Sequence, residues 1–203
     1  GAFIYMRYTP KMYQTSTTVQ INIKEQPDEF LEIYSYQQQT NINSEVELMK
    51  SQKIINNTIQ NLNSRIQYYS EGDILTRDLY KRSPFKLVDF ELKNLSLSST
   101  QLYISYENEY FKITNSTKSI VFAEYIKNNS FFSNKHFSGK LIVSGTLNSF
   151  EESLNNYNYY FTVPTILERK NEITEHLEIN ILDYAANTIG ITYKHTNPIY
   201  AQD

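Results

Sequence analysis

Apolar and polar positions alternate through TSTTVQINI, residues 15–23, with Thr17, Val19, Ile21 and Ile23 on one side and Ser16, Thr18, Gln20 and Asn22 on the other. A period of two is the pattern of a half-buried strand. The polar stretch KEQPDEFLEIYSYQQQTNIN follows, open to helix around Phe30 to Tyr34. The period then changes in SEVELMKSQKIINNTIQNLN, residues 44–63, where Leu48, Ile55, Ile59, Leu62 and Ile66 lie at i, i+7, i+11, i+14 and i+18. That spacing predicts one long amphipathic helix with a core-facing stripe. Ser44 and Glu47 have the spacing of a capping box at its start.

RIQYY, residues 65–69, reads as a second strand, EGD as a turn and ILTRDLYKR as a short helix that Ser83-Pro84 stops, because the residue before proline is pushed out of the helical region. From Phe85 the short runs FKLVDFEL, TQLYISYE, YFKIT, SIVFAEYI, GKLIVSGTL and NYYFTV are separated by polar turns, the spacing of an all-β sandwich or barrel. After Pro164, TILERKNEITEHL predicts a helix. LEINILD and NTIGITYKH predict two strands joined through Tyr184 to Ala186. NPIYAQD predicts a helix start, with Asn197 as cap and Pro198 at the first helical position.

Composition bounds the chemistry. The chain has 203 residues, is 40% hydrophobic and carries a formal charge of −3, so it can bury a core but lacks the positive face that nucleic acid requires. There are no cysteines, which excludes disulfides, thiolate metal sites and cysteine nucleophiles. No run approaches the roughly 20 apolar residues of a membrane helix. Gly1 to Met6 (GAFIYM) reads either as an ordinary first strand or terminal remnant, or as the outer end of a membrane helix with Tyr5 and Tyr8 at interface depth.

Catalytic motifs are missing from the sequence. Five glycines form neither GxxxxGK nor GxGxxG, and no GxSxG surrounds a serine. His136, His176 and His195 sit in separate segments without metal-ligand spacing, and Glu151-Glu152 read as a solvated pair. No cofactor is expected. Tyr157, Tyr159 and Tyr160, taken as exposed, offer flat rings with polar rims that can stack on sugars, and they motivate a rival reading as a carbohydrate-binding or adhesive module. Strand residues multiplied by an AT-rich genome are the plainer explanation of their number.

Four stretches together resemble the extracytoplasmic region of the Wzz-type polysaccharide co-polymerases, especially the Wzc-like branch with a cytoplasmic tyrosine kinase domain. YTPKMYQTSTTVQI, with Pro10 and Tyr13, is similar to the segment leaving the first membrane helix. SEVELMKSQKIINNTIQNLN, with Glu45, Glu47, Leu48, Lys50 and Ser51, is similar to the family's helix rich in Glu, Leu, Lys and Ser. LYKRSPFKL, with Ser83, Pro84 and Phe85, resembles the stretch after which kinase-type members carry a β-rich insertion. NTIGITYKHTNPIYAQD, with Pro198 and Ala201, resembles the strand and turn leading into a long helical hairpin. The resemblance implies an α+β fold: a membrane-proximal mixed α/β domain with a long helix on a sheet, residues 1–85 plus 164–203, interrupted by the all-β insertion, residues 86–163.

It also implies a non-catalytic periplasmic region of a bacterial inner-membrane protein that assembles as a ring and regulates the chain length and export of a capsular or exopolysaccharide. ATP and Mg would belong to a cytoplasmic kinase domain outside this chain. Expected partners are further copies of the chain, the polysaccharide polymerase, outer-membrane export machinery and the polysaccharide itself. Without the long helices, the chain alone is expected to be a monomer or a weak oligomer.

Overall fold

The period-two stretches pair into three antiparallel sheets, and the helices between them are short. A computed structural model describes residues 11–22, 41–61 and 65–203. In chain order, β1 spans Tyr13–Gln20, α1 residues 41–49, α2 Gln52–Asn61, β2 Gln67–Glu71, β3 Thr76–Asp78 and β4 Phe85–Leu92. They are followed by β5 (Leu102–Glu107), β6 (Tyr110–Thr114), β7 (Val121–Ile126), β8 (Phe131–Ser133), β9 (Phe137–Val143), α3 (Leu147–Leu154) and β10 (Asn158–Thr162). Last come α4 (Ile166–His176), β11 (Leu177–Asp183), β12 (Thr188–His195) and α5 (Pro198–Gln202).

The described residues fall into two compact units. One holds residues 65–165 together with Lys11, and the other is assembled from 12–22, 41–61 and 166–203. In the first unit a six-stranded sheet, ordered β3-β2-β10-β5-β6-β7, and a three-stranded sheet, β4-β9-β8, share one core. Phe85 of β4 meets Tyr68 of β2 edge-on at 5.3 Å, and the Leu87 amide donates to the Tyr68 hydroxyl at 2.9 Å. Burial pushes the Tyr68 pKa up to about 12 against the lowering effect of that bond, so the phenol stays neutral inside the core.

Two backbone devices shape this unit. Asn108 and Glu109 both have positive φ between the paired Glu107 and Tyr110, which makes the β5–β6 connection a two-residue turn of the type that matches strand twist. In β4 the register slips between Val88 and Glu91, and Gly139 of β9 lies against the bulge at φ +153°. A Cβ there would stand 3.0 Å from Phe90 Cα, so glycine is required both for space and for backbone angle.

The second unit is a three-stranded sheet, β1-β12-β11, with helices packed on it. Ile42 and Val46 of α1 bury against Ile179 and Ile189, whereas Ile55 and Ile59 of α2 bury against Ile173 of α4 and Tyr193. The expected long helix on a sheet is therefore overturned, although a mixed α+β character stands. Helix 44–63 is two helices meeting at Lys50 and Ser51, and the unit is built on short elements. The stripe also fails: Leu48 is 53% exposed, while Ile66 packs with the core of the other unit.

The physical reason is geometric. Val46 and Ile55 are nine residues apart, which at about 100° per residue places them on opposite sides of a continuous helix. Breaking the helix at 50–51 lets both reach a core. The backbone remains paired across the break, because Ser51 N–H donates to Leu48 O at 3.0 Å and Ser51 O accepts from Ile55 N at 3.2 Å.

Two smaller expectations are also corrected. ILTRDLYKR is not a helix: Thr76–Asp78 pairs with β2, Asp78 Oδ1 accepts from the Tyr80 amide at 2.8 Å, and only Tyr80–Arg82 makes a 3-10 turn. LNSFEESL, within the stretch expected to be all-β, is a helix with Leu147, Phe150 and Leu154 at i, i+3 and i+7, capped by Thr146, whose Oγ1 accepts from the Ser149 amide, and anchored by buried Phe150.

Candidate functional site

The six-stranded sheet carries a row of tyrosines in register. Tyr69 of β2 pairs with Tyr160 of β10, which pairs with Tyr103 of β5, so the three side chains share one face while Tyr68, Tyr159 and Ile104 beside them enter the core. The Tyr160 ring stacks on Tyr69 at 4.9 Å and tilts against Tyr103 at 5.0 Å. The Tyr103 hydroxyl donates to Glu71 Oε2 at 3.1 Å, with Gln101 Oε1 at 3.3 Å. Burial, then the neighbouring Glu71 carboxylate, push Tyr103 up to about 12 and raise Tyr160 too. Both phenols therefore remain hydrogen-bond donors at neutral pH.

Glu71 links this row to an open cleft of about 390 Å³, the size of a small-ligand site. The cleft lies between the β2–β3 turn, which contributes Glu71, Gly72 and Asp73, and the loop from α3 to β10, residues 154–158. Both loops are fixed by their backbones: Gly72 N–H donates to Leu75 O at 3.1 Å, and the Asn156 and Tyr157 amides both donate to Ser153 O at 3.1 Å. The Tyr157 ring lies alongside Gly72, with Cδ1 and Cε1 each 3.8 Å from the position a Cβ would take there, and it is 41% exposed.

Of the three tyrosines taken as exposed, only Tyr157 is. Tyr159 is packed with Phe85 and Phe150, and Tyr160 is held between Tyr69 and Tyr103. Pattern alone could not have separated them: Tyr157 shares the parity of Tyr159, and Tyr160, of the opposite parity, is buried because Tyr69 and Tyr103 cover it.

A second polar cluster holds the last helix of the other unit. Arg169 of α4 is only 2% exposed, and its Nη1 donates to Glu172 Oε2 at 2.5 Å while Nη2 donates to the Tyr200 hydroxyl. His195 Nε2 stands 3.7 Å from Glu172 Oε1, and His195 Nδ1 accepts from the Asn197 amide at 3.0 Å. Burial opposes charge on Arg169 and on Glu172. The Tyr200 hydroxyl and Glu172 outweigh it at Arg169, whose pKa is raised, and the His195 contact and Arg169 outweigh it at Glu172, which is held below the usual carboxylate range. His176, whose Nδ1 lies 2.9 Å from Glu172 O, joins the same neighbourhood, so two histidines read as separate meet on Glu172. No group of three or more metal-ligating side chains occurs among the described residues.

The positions carrying the family resemblance are dispersed. Pro10 lies outside the described residues. Tyr13 opens β1, opposite His195, and is 40% exposed. Glu45 and Leu48 lie on α1, and Ser51 marks the break before α2. Ser83, Pro84 and Phe85 lead into β4: Ser83 is buried, its Oγ accepting from the Phe85 amide at 3.4 Å, Pro84 O accepts from the Ser144 amide at 2.7 Å, and Phe85 is fully buried. Pro198 is the first residue of α5, behind an Asn197 cap whose Oδ1 accepts from the Ile199 and Tyr200 amides, and Ala201 is buried on that helix. Ser83, Pro84, Phe85, Pro198 and Ala201 have packing and capping roles, whereas Tyr13 and Leu48 are exposed. The cleft residues Glu71, Gly72, Asp73 and Asn155 to Asn158 carry no motif, and their sequence signals are the EGD turn and the Tyr157 ring. No family model and no curated protein matches the chain.

Proposed function

We propose that the chain is the non-catalytic extracytoplasmic part of an inner-membrane polysaccharide co-polymerase. It works as a ring of copies beside the polymerase and the export machinery, and regulates the length and export of a capsular or exopolysaccharide. A tyrosine kinase domain on the cytoplasmic side, with its ATP and Mg, would complete the protein.

The observation that carries this reading is where the chain enters and leaves the discontinuous unit. β1 and β12 are antiparallel neighbours with Tyr13 opposite His195, so the start of the first strand and the end of the last lie side by side. An element tethered on both sides to one membrane needs that arrangement, because its two connections must reach the same surface. The β unit supports the reading as well, since it interrupts the other unit in sequence, although it begins at residue 65 and not after Phe85, where the resemblance puts the insertion. No helix among the described residues is long and apolar enough to cross a membrane.

The test is the size distribution and surface amount of extracellular polysaccharide on a gel. Compared are a strain lacking the gene and one carrying it back. Loss of long chains or of surface polymer, restored by complementation, is the expected outcome. An unchanged distribution would remove chain-length control and leave a saccharide-binding module as the reading.

A further inference from the structure

The cleft beside Tyr157 has a lining whose chemistry selects a ligand. Its polar groups are the carboxylates of Glu71 and Asp73 and the amides of Asn155, Asn156 and Asn158. Carboxylates accept hydrogen bonds from pairs of hydroxyls, and amides both donate and accept, so the set fits a ligand rich in hydroxyls. The apolar part of the lining is small, Leu154 and the Tyr157 ring, whose Cδ1–Cε1 edge lies against Gly72, and an exposed aromatic ring with polar neighbours packs against the C–H face of a sugar ring. The lining contains no lysine, arginine or histidine, so its electrostatic field repels uronates, sulfates and phosphates.

The cleft is also held ready. Glu71 is oriented by the Tyr103 hydroxyl, which is kept protonated well above neutral pH, and Tyr103 is in turn braced by the Tyr160 and Tyr69 rings.

We infer that this cleft is a saccharide subsite for uncharged or amine-bearing sugar units, with Tyr157 as its stacking platform. The inference gives a place to the polysaccharide contact that the co-polymerase reading expects, and it is argued from the cleft alone. It is tested by binding in solution, so its failure leaves that reading untouched.

The experiment is a titration of the isotope-labelled chain, followed by amide chemical shifts, with three probes. They are an N-acetylglucosamine oligomer, a glucosamine oligomer and a galacturonate oligomer. The neutral and cationic probes are expected to shift the amides of residues 71–73 and 154–158 with dissociation constants on the order of 1 mM, and the galacturonate oligomer to bind at least about tenfold more weakly. Tyr157→Ala is expected to weaken binding about tenfold, whereas Tyr157→Phe, which keeps the ring, stays within about threefold. Tyr125→Ala, which removes a 70% exposed tyrosine of β7, is expected to change nothing. The inference is overturned if neither the neutral nor the cationic probe shifts these amides at about 10 mM, if galacturonate binds as well as they do, or if Tyr157→Ala binds like the parent chain.

Discussion

At the scale of single residues, the buried pair Arg169–Glu172 makes the sharpest statement about pH. Folding holds the Glu172 carboxyl below its ordinary range, so the ionised form is the one the fold favours. A depressed carboxylate contributes stability that is complete above the unfolded pKa and is lost as pH falls through the folded one. Protonated Glu172 then resembles glutamine. Glu172→Gln is therefore expected to cost about 1–2 kcal/mol at pH 7, discounted because Glu172 is 31% exposed, and the difference from the parent should shrink toward zero as pH falls below about 4. Urea midpoints for β12 amides by hydrogen exchange would show it, and a difference that stays constant down to pH 3 would contradict it. Little of this was legible in the sequence. A cation and a carboxylate three residues apart on a helix ordinarily share a solvated face, and only the distant Tyr200 and His195 turn them inward.

At the scale of elements, periodicity located most strands but misjudged what the helical stripe had to reach. The runs beginning at Phe85, Leu102, Tyr110, Val121, Phe137, Leu177 and Thr188 are all strands, because alternation over five to eight residues has one physical solution once a face is buried. A stripe through Leu48, Ile55 and Ile59 satisfies the helical period equally well, yet the cores lie where Ile42 and Val46, and separately Ile55 and Ile59, can reach them. Period carries no information about where the neighbouring sheet stands, and that is why the break at 50–51 was invisible. The two arrangements predict different costs. With α1 and α2 separate, Leu48→Ala should change stability by less than about 0.5 kcal/mol, while Ile55→Ala, at 3% exposure, should cost about 2–4 kcal/mol. Equal losses in urea unfolding would restore the continuous stripe.

At the scale of the whole molecule, the order of the chain and the order of the cores differ. The α/β unit is closed by pairing β1 with β12, about 175 residues apart in sequence, so it cannot form until the chain between has been spanned or folded. The β unit has no such requirement. Its two sheets, its aromatic core around Phe85, Phe111, Phe137, Phe150 and Phe161, and the loops that build the cleft are all supplied by residues 65–165. A continuous segment of that size with its own core meets the usual conditions for independent folding. Expressed alone, residues 65–165 are expected to give dispersed amide signals and one cooperative urea transition. The slope of that transition should be about 1 kcal/mol per M, the lower end for small domains. The Tyr69, Tyr160 and Tyr103 rings should keep their mutual contacts, because every strand that positions them lies inside the segment. A gradual, non-cooperative transition would show that the core of this unit is completed by the rest of the chain, and the β unit would then be part of one folding whole.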